Sequence, residues 1–256
     1  MLNFRNTNLF FTGLLIILAA VHVRYGLPFY SYLLVALAYS LVVFYGCYYV
    51  GSGFFIKIIC AARTDKKEIA ISFDDGPVAS TTEIIRLLRE DGIKATFFCI
   101  GSRIAGNEAI LAQLKEEGHI IGNHSFSHHF WFDLFSSRKM LDDLKQMDGE
   151  VERVTGLRPK LFRPPYGVTN PNLKKAIIEG GYTPVGWSVR SMDTVIQDED
   201  KLLRKITGSI RPGAVFLFHD TSRTMINVLP RFIQEVKNRG YQVVSLDKLL
   251  HLTPYA

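Results

Sequence analysis

The stretch Ile69-Ala70-Ile71-Ser72-Phe73-Asp74-Asp75-Gly76-Pro77 joins an apolar run to two adjacent carboxylates and a turn. Side chains alternate between the two faces of a strand, but this alternation relaxes at its last residue. Two neighbouring acids at such a strand end can therefore serve one cleft in different roles. An ordinary Asp-Gly-Pro turn would explain the same residues. The rest of the sequence has to decide between a catalytic strand end and a simple turn.

Short apolar runs alternate with amphipathic stretches from Glu68 onward. Ser80 and Glu83 have the spacing of a capping box, and Asn170-Pro171 is typical of the start of a helix. The apolar runs predict seven strands, at 69–73, 95–100, 119–122, 160–163, 183–188, 214–218 and 241–245. Seven strands that alternate with helices predict an α/β fold with a parallel sheet.

Polar side chains follow these predicted strands at the points where the strands end. In parallel α/β folds the functional site lies at the carboxyl ends of the strands. The polar residues that this rule brings to one rim are Asp74 and Asp75, His124 and His128, Arg163, Asp193, and His219. Because these residues are scattered over about 150 positions, their common location after strands favours a catalytic site over a simple turn.

His124 and His128 are four residues apart. On a helix or a compact turn they would share one face, which is how a chain commonly offers two imidazoles to one ion. Together with one carboxylate they would leave coordination positions open, as a catalytic zinc site requires. A pair of surface histidines is the alternative, and His129 is expected to be such a bystander. A second carboxylate and a further histidine would complete a hydrolytic set, with a base for water and an acid for the leaving group.

Five motifs carry a resemblance to a known family. Ser-Phe-Asp-Asp-Gly-Pro, His-Ser-Phe-Ser-His, Arg-Pro-Pro-Tyr-Gly, Trp-Ser-Val-Arg-Ser-Met-Asp and Leu-Phe-His resemble, in order and spacing, those of the polysaccharide deacetylases. This is the NodB-type domain of carbohydrate esterase family 4, and the resemblance covers about 68–250. It implies a distorted, incomplete (β/α) barrel with about seven parallel strands. It also implies metal-dependent removal of N-acetyl groups, and sometimes O-acetyl groups, from glycans. Zinc is the metal that it implies, with cobalt, nickel or manganese as alternatives.

The resemblance assigns a role to each matching residue. Asp75, His124 and His128 would be the metal ligands. Asp74 would be the general base that deprotonates the attacking water, and His219 would be the general acid that protonates the leaving amine. A carboxylate beside an arginine and a metal stays ionised, in agreement with the role of a base.

Four further residues would support the reaction by the same resemblance. Arg163 would hold the base, Asp193 would orient the acid, the backbone N–H of Tyr166 would join the oxyanion hole, and Leu217 would line the acetyl pocket.

The fourth motif departs from the family pattern. Arg190 stands where an acid is common, and Thr194 stands where a tryptophan usually forms a groove wall. These departures put the shape of the substrate site in doubt but not the chemical step. Trp187 is expected to pack in the core, although it could approach the groove.

The N-terminal segment 1–65 is predicted to be a membrane anchor plus a linker, ahead of a catalytic domain at 66–256. Phe29–Val50 is 22 residues without a charge, which is long enough to span a bilayer. Leu9–Val23 is a second apolar run of 15 residues, which would also fit the apolar region of a signal peptide. We predict two transmembrane helices, at about 9–23 and 29–50. A buried helical hairpin in a soluble protein is the alternative.

The orientation of these spans is predicted differently by two arguments. Lys57, Arg63, Lys66 and Lys67 follow the second span, which by the positive-inside rule favours a cytoplasmic domain. Large domains can cross despite such charges, and the resemblance implies a periplasmic or extracellular domain, where glycans are. We therefore expect a cell-membrane protein with its catalytic domain in the periplasm or outside the cell.

Net charge limits the possible partners, and the cysteine content limits the possible disulfides. The net charge is +6 and the pI about 9.2, with no long basic run. This balance favours an anionic membrane surface over a nucleic acid as the partner. Cys47, Cys60 and Cys99 are odd in number and have no metal or redox spacing, so no disulfide framework is predicted.

Taken together, the residues and the resemblance predict a membrane-anchored, metal-dependent N-deacetylase of an acetylated amino-sugar glycan. An O-acetyl esterase with the same site and a catalytically inactive glycan-binding module are the alternatives. A degenerate binding module would usually lack the base or a metal ligand, and here the base, the acid and all three ligands are present.

Overall fold

The computed structural model describes residues 2–256, and its chain begins with two long helices. The first, α1, spans Phe4–Tyr25 and the second, α2, spans Tyr30–Tyr48. They pack antiparallel, since Tyr39 of α2 donates a hydrogen bond to Asn8 of α1. Thr7 and Gly46 are the buried residues of this hairpin, and its large apolar side chains are exposed. The alternative of a hairpin buried in a soluble protein therefore does not fit. Both helices are long and apolar enough to cross a membrane.

Short parallel strands form the sheet of the C-terminal part. They are β1 Glu68–Asp74, β2 Thr96–Cys99, β3 Ile120–Asn123, β4 Leu161–Phe162, β5 Thr183–Pro184, β6 Val189–Arg190, β7 Val215–His219 and β8 Gln242–Val243. Their order across the sheet is β5-β4-β3-β2-β1-β7-β6, and β8 pairs with the start of β1. The sheet curves into the distorted, incomplete (β/α) barrel that was expected, with β1 near its centre.

The strand predicted at 183–188 is wrong in its extent, because β5 ends at Pro184 and a separate strand, β6, begins at Val189 at the opposite end of the sheet. β5 pairs with β4, and β6 pairs with β7. Between them, Val185 donates to the Phe162 carbonyl and Ser188 donates to the Val215 carbonyl. One continuous segment therefore connects the two ends of the curved sheet. The division depends on pairing with β4 on one side and β7 on the other. The local sequence therefore does not predict it.

The helices of the C-terminal part surround the sheet. They are α3 Thr81–Glu90, α4 Glu108–Glu116, α5 Ser137–Thr155, α6 Pro171–Gly180, α7 Glu199–Thr207, α8 Arg223–Asn238 and α9 Leu246–Leu250. Asn170 caps α6 through its side chain, as its sequence predicts. The capping box predicted at Ser80 and Glu83 is wrong. The Ser80 hydroxyl donates instead to the carbonyl of Asp220 at 2.6 Å, so it makes no cap.

Alternation along β1 divides its side chains between two environments. Ile69, Ile71 and Phe73 point to the main core, where they pack against side chains from α3 and α8. Ser72 and Asp74 point to the other face, inside the barrel, where both are buried. This alternation delivers the first carboxylate to the interior of the barrel at the end of its central strand.

The linker after α2 packs on the barrel. Ile59 forms a parallel bridge with Val185, and Ala61 forms an antiparallel bridge with Ala214. Ile58 is also buried. The division at residue 65 remains a prediction, but these contacts attach residues 58–61 to the barrel and not to the two helices alone.

Candidate active site

Asp74 and Asp75 lie side by side in the chain but in different surroundings. Asp74 is 3% exposed and accepts a hydrogen bond from Arg163 at 2.7 Å. Asp75 has a φ of 77°, in the left-handed region, which directs its side chain to a different part of the cleft. Arg103 donates to the backbone carbonyl of Asp75 and so helps to hold this turn. The strained backbone at Asp75 is what lets two consecutive acids reach one site.

Arg163 is fully buried and makes hydrogen bonds along its whole guanidinium group. Besides Asp74, it donates to the Ser72 hydroxyl at 2.8 Å and to the Gly186 carbonyl at 2.8 Å. Its guanidinium carbon lies 4.0 Å from the centre of the Phe98 ring. A buried cation is expensive unless it is paired and hydrogen-bonded, and these contacts satisfy it. Arg163 therefore fixes the position of Asp74 and places a positive charge beside its carboxylate.

Asp75, His124 and His128 form the one group of three potential metal ligands found among residues 2–256, with ligand atoms within 4.8 Å of one another. Oδ1 of Asp75 lies 3.7 Å from Nε2 of His124 and 3.6 Å from Nε2 of His128. A carboxylate and two imidazoles that converge on one point suit zinc and similar divalent ions, which each bind such donors at about 2 Å. The donor set therefore fits the metal that the sequence implies.

Each histidine of this group is held so that Nε2 faces the common point. Nδ1 of His124 lies 2.8 Å from the Arg163 carbonyl, which can only accept, so Nδ1 carries the proton and Nε2 is free. His128 has a φ of 42° in a compact turn, where its backbone N–H donates to the Ser125 hydroxyl. Burial and the neighbouring His124 lower the pKa of His128 to about 4. It is therefore neutral at physiological pH, as a ligand must be.

His219 lies across the cleft at the end of β7. Its Nδ1 lies 2.8 Å from Oδ1 of Asp193, and its backbone N–H donates to Oδ2 of the same side chain at 2.7 Å. Ser191 also donates to Asp193, which is 1% exposed. Burial alone would lower the pKa of His219, but the hydrogen bond and charge of Asp193 outweigh it, and the pKa is raised above its usual value. The geometry is that of a histidine held in one orientation by a buried acid, which favours its protonated form.

These groups open into one cleft with a volume of about 210 Å³. Its lining residues are Asp75, His124, His128, Tyr166, Gly167, Trp187, Arg190, Thr194, Leu217 and His219. Tyr166 has a φ of 57°, and its ring lies 4.7 Å from that of His128. The structure thus brings the predicted site residues together, with Arg163, Asp74 and Asp193 buried directly beneath the cleft.

Two further expectations concern residues near the motifs. Trp187 lines the cleft, so the expectation that it packs in the core is wrong. The Trp187 ring fits there because residue 167 is a glycine. A Cβ atom on Gly167 would lie 2.6 Å from the ring and leave it no room. His129 lies outside the ligand group, with its Nδ1 accepting from the Trp131 N–H and its ring 5.4 Å from Phe135.

Asp220 is a buried acid at this site for which the sequence argument gave no role. Its Oδ2 accepts from the Thr81 hydroxyl at 2.6 Å, and a Cβ on Gly76 would lie 2.0 Å from the same oxygen. Burial and, in smaller part, the charges of Asp75 and Asp74 raise the pKa of Asp220 to about 7, against the effect of Thr81. Asp220 therefore braces the turn that carries the two site acids. Its place directly after His219 is the one sequence signal that could have identified it.

Comparison with known proteins gives one consistent result. A family model described as polysaccharide deacetylase matches residues 61–185. The peptidoglycan-N-acetylmuramic acid deacetylase PdaA of Bacillus subtilis (strain 168) is 30% identical over 220 residues, which are 82% of this chain and 78% of that protein. The peptidoglycan-N-acetylglucosamine deacetylase PgdA of Listeria monocytogenes is 31% identical over 202 residues, or 78% of this chain.

The chain spans 42% of the length of the Listeria protein that it matches. Among solved structures, the Bc1960 peptidoglycan N-acetylglucosamine deacetylase superposes with a TM-score of 0.74 at 28% identity, covering 78% of this chain and 95% of that one. The fold is therefore that of a known architecture. The family model covers the motifs up to Arg-Pro-Pro-Tyr-Gly, whereas Asp193 and His219 lie beyond the residues that it matches.

Proposed function

Because this chain belongs to the polysaccharide deacetylase family, we propose that it hydrolyses the N-acetyl group of an acetylated amino-sugar glycan and releases acetate and a free amine. The observation that carries this proposal is the different surroundings of Asp74 and Asp75, which both lie 3.7 Å from Nε2 of His124. One is buried against Arg163, and the other converges with His124 and His128. This arrangement supports a base and a metal ligand on adjacent residues, which a binding module would not need.

Asp75, His124 and His128 would hold a divalent ion, with zinc the expected metal. When bound, the ion would polarise the acetamide carbonyl and favour ionisation of water. Asp74 would accept the proton of the attacking water, and its ion pair with Arg163 at 2.7 Å would hold the carboxylate in place for this role. The metal-ligand role and the base role thus fall to different acids of one turn.

The other side of the cleft would complete the reaction. As the C–N bond breaks, His219 would donate its Nε2 proton to the departing amine nitrogen, and Asp193 would stabilise the imidazolium form. The backbone N–H of Tyr166 would donate to the developing oxyanion, and Leu217, 2% exposed, would contact the methyl group of the acetyl.

We further propose that α1 and α2 anchor the protein in the cell membrane, with the catalytic domain on the periplasmic or extracellular side. The exposed side chains of α1 and α2 include Phe10, Ile16, Leu37 and Phe44, each more than half exposed. Apolar surface of this extent requires a cover, and lipid would provide it. The names of the relatives support a bacterial cell-wall amino sugar as the substrate class.

The central test is an Asp74→Asn variant of the full-length protein, purified in detergent and loaded with zinc. We expect acetate release from a chitin oligomer to fall by at least about 100-fold, which is the usual contribution of a general base. Zinc content, measured by elemental analysis, should stay at the wild-type level because Asp75 and both histidines remain. A chelator should abolish acetate release by the wild type, and added zinc should restore it.

A matched control is Asp142→Asn, since Asp142 is an exposed carboxylate that pairs only with Arg138 of the same helix. This variant should keep wild-type activity. Undiminished acetate release by Asp74→Asn would remove Asp74 from the role of the base. A wild-type protein that binds the oligomer but releases no acetate from any acetylated glycan would contradict the enzyme and favour a binding module.

A further inference from the structure

A second groove adjoins the catalytic cleft and leads to the end of α2. It has a volume of about 430 Å³ and is lined by Tyr48, Tyr49, Val50, Gly51, Cys60, Trp187, Ser188, Arg190 and Arg211. Trp187 and Arg190 line the catalytic cleft as well. The two spaces therefore share part of their lining and are direct neighbours. We call this second space the anchor groove.

The anchor groove carries positive charge without a matching acid. Arg190 and Arg211 are both exposed, and none of the lining residues is an aspartate or glutamate. Across residues 2–256, the ion pairs within 4.0 Å include neither arginine. Nη2 of Arg211 donates to the Ser188 carbonyl at 3.1 Å, which holds this guanidinium at the groove. Two arginines with free donors on one groove match an anion with several acceptor oxygens, such as a phosphate.

The anchor groove also lies at the level where the membrane would end. Tyr48 is the last residue of α2, and Tyr48 and Tyr49 are 60% and 53% exposed. Tyrosines at the end of an apolar helix mark the headgroup region of a bilayer. Thr169 fixes the barrel to this end of α2, since its N–H donates to the Cys47 carbonyl and its hydroxyl to the Gly46 carbonyl. The catalytic cleft is thereby held beside the membrane surface.

An exposed apolar loop lies on the same side of the barrel. Phe130, Trp131 and Leu134 are 68%, 55% and 70% exposed, in the segment that follows His128. This loop contacts the region that binds α2, because Asn170, next to Thr169, donates to the Asp133 carbonyl at 2.6 Å. Aromatic and apolar side chains that project beside a membrane anchor are suited to enter the interfacial region of a bilayer.

We propose that the substrate is a glycan joined through a phosphate or pyrophosphate to a membrane lipid. Arg190 and Arg211 bind the phosphate in the anchor groove, the lipid chain lies along α2, and the acetamido sugar occupies the catalytic cleft. This inference rests on the proposed deacetylase function and specifies its substrate class. A finished, uncharged glycan polymer would make no use of two unpaired arginines at the membrane surface.

The test compares three substrates with full-length protein in detergent micelles. The first is N-acetylglucosamine joined by pyrophosphate to a short polyprenol, the second is the soluble sugar 1-phosphate, and the third is a neutral chitin tetramer. We expect wild type to have the highest kcat/KM for the polyprenol substrate. Arg190→Gln and Arg211→Gln should each lower that value by about 10-fold or more, as expected for charge-assisted hydrogen bonds. The fold-decrease in kcat/KM that these two variants show on the neutral tetramer should be at least fivefold smaller.

The matched control is Arg86→Gln, because Arg86 is an exposed arginine on α3 whose ion pair with Glu90 lies outside both spaces. This variant should match wild type on all three substrates. A binding measurement separates recognition from catalysis. The Asp74→Asn protein should bind a fluorescent polyprenyl pyrophosphate, and binding should weaken about 10-fold when Arg190→Gln or Arg211→Gln is added.

The outcomes distinguish the two proposals. Equal losses on charged and neutral substrates, or a wild-type preference for the neutral tetramer, would overturn the phosphate site while the deacetylase function stands. Equal use of the soluble sugar phosphate and the polyprenol substrate would overturn the membrane-lipid part. If wild type releases acetate from none of them, the deacetylase function fails. The binding measurement then tests phosphate binding in the anchor groove by itself. Binding that depends on Arg190 and Arg211 supports the phosphate site, and binding that does not depend on them overturns it.

Discussion

At the scale of single residues, the contact with Asp193 raises the pKa of His219. Burial favours the neutral form of this imidazole, and the hydrogen bond to Asp193 reverses that preference. In the proposed reaction His219 is the general acid, which must carry its proton at the working pH, and its raised pKa favours this form. The reaction should therefore slow as the pH rises through the pKa of His219, because the acid form is lost.

Replacing Asp193 with asparagine should move this alkaline limb of the pH profile to lower pH. The variant loses the negative charge that raises the pKa of His219 but keeps the burial that lowers it. We expect kcat/KM to fall by up to about 100-fold at pH 8 and by much less at pH 6. The measurement is a kcat/KM profile between pH 5 and pH 9 for both proteins.

Asp142→Asn serves as the control for this profile too, because it removes an exposed charge far from His219. A loss of the same size at every pH would contradict a role in tuning the acid. It would indicate instead that Asp193 acts only by holding the local structure.

At the scale of single elements, the buried residue His119 directly precedes β3. Nδ1 of His119 accepts from the Ala95 N–H at 3.1 Å, just before β2, and so connects the starts of two neighbouring strands. His119 is 3% exposed, and its Nε2 is without a hydrogen-bond partner among residues 2–256. Burial, with a smaller contribution from Lys94, lowers the pKa of His119 to about 4. The folded protein therefore holds this ring neutral.

The free energy of unfolding should consequently decrease as the pH falls. Between the unfolded pKa of about 6.5 and the folded pKa of about 4, the unfolded chain binds the proton and the folded chain does not. Lowering the pH from 7 to 5 should remove about 2 kcal/mol of stability through His119. Urea unfolding of the full-length protein in detergent, at both pH values, would measure this change.

A His119→Asn variant should lose this part of the pH dependence while its side-chain oxygen can still accept a hydrogen bond. His251→Asn is the matched control, because His251 is exposed and its φ of 53° suits asparagine. If wild type and His119→Asn lose the same free energy between pH 7 and pH 5, the assignment to His119 is wrong.

The site was predictable from the sequence because its residues obey a local rule. Asp75 and His124 directly follow a strand and His219 ends one, and a parallel sheet brings such positions to one rim. Features that depend on distant partners escaped prediction. Asp220 acquires its place through Thr81 and Gly76, more than 130 residues away, and Trp187 lines the cleft because the segment around it divides between two ends of the sheet.

At the scale of the whole molecule, the linker joins α1 and α2 to the barrel. The Ile59 N–H donates to the Pro184 carbonyl, its carbonyl accepts from Gly186, and Ala62 donates to Gly213. These bonds lie where β5 and β6 connect the two ends of the sheet. The linker is thus a part of the barrel wall as well as a tether, although its position in the chain resembles that of a spacer.

A chain that begins at residue 66 should be less stable than one that begins at residue 56. The shorter chain loses the backbone bonds of residues 59–62 and the burial of Ile58, which is 7% exposed. We expect its free energy of unfolding to be lower by about 3 kcal/mol or more. Urea unfolding of both soluble chains, followed by tryptophan fluorescence, would measure the difference.

Point variants of the longer chain make the comparison sharper. Ile59→Pro removes the donor to Pro184 and should reproduce a large part of the loss. Asp65→Ala changes an exposed residue of the same segment and should have little effect. Equal stability of the two chains would show that the linker contacts contribute nothing to the barrel.

Residues 183–190 connect both ends of the sheet, and this connection affects how easily two copies of the protein can pair through their sheet edges. An open sheet presents unpaired backbone at its outer strands, where a second chain can add and begin aggregation. Here β5 and β6 follow each other in the chain, and residues 59–61 lie beside the gap between them. Little free edge remains for strand addition. The proposed membrane anchor would concentrate the protein in two dimensions, where its copies meet often, and this closure would protect them from joining edge to edge.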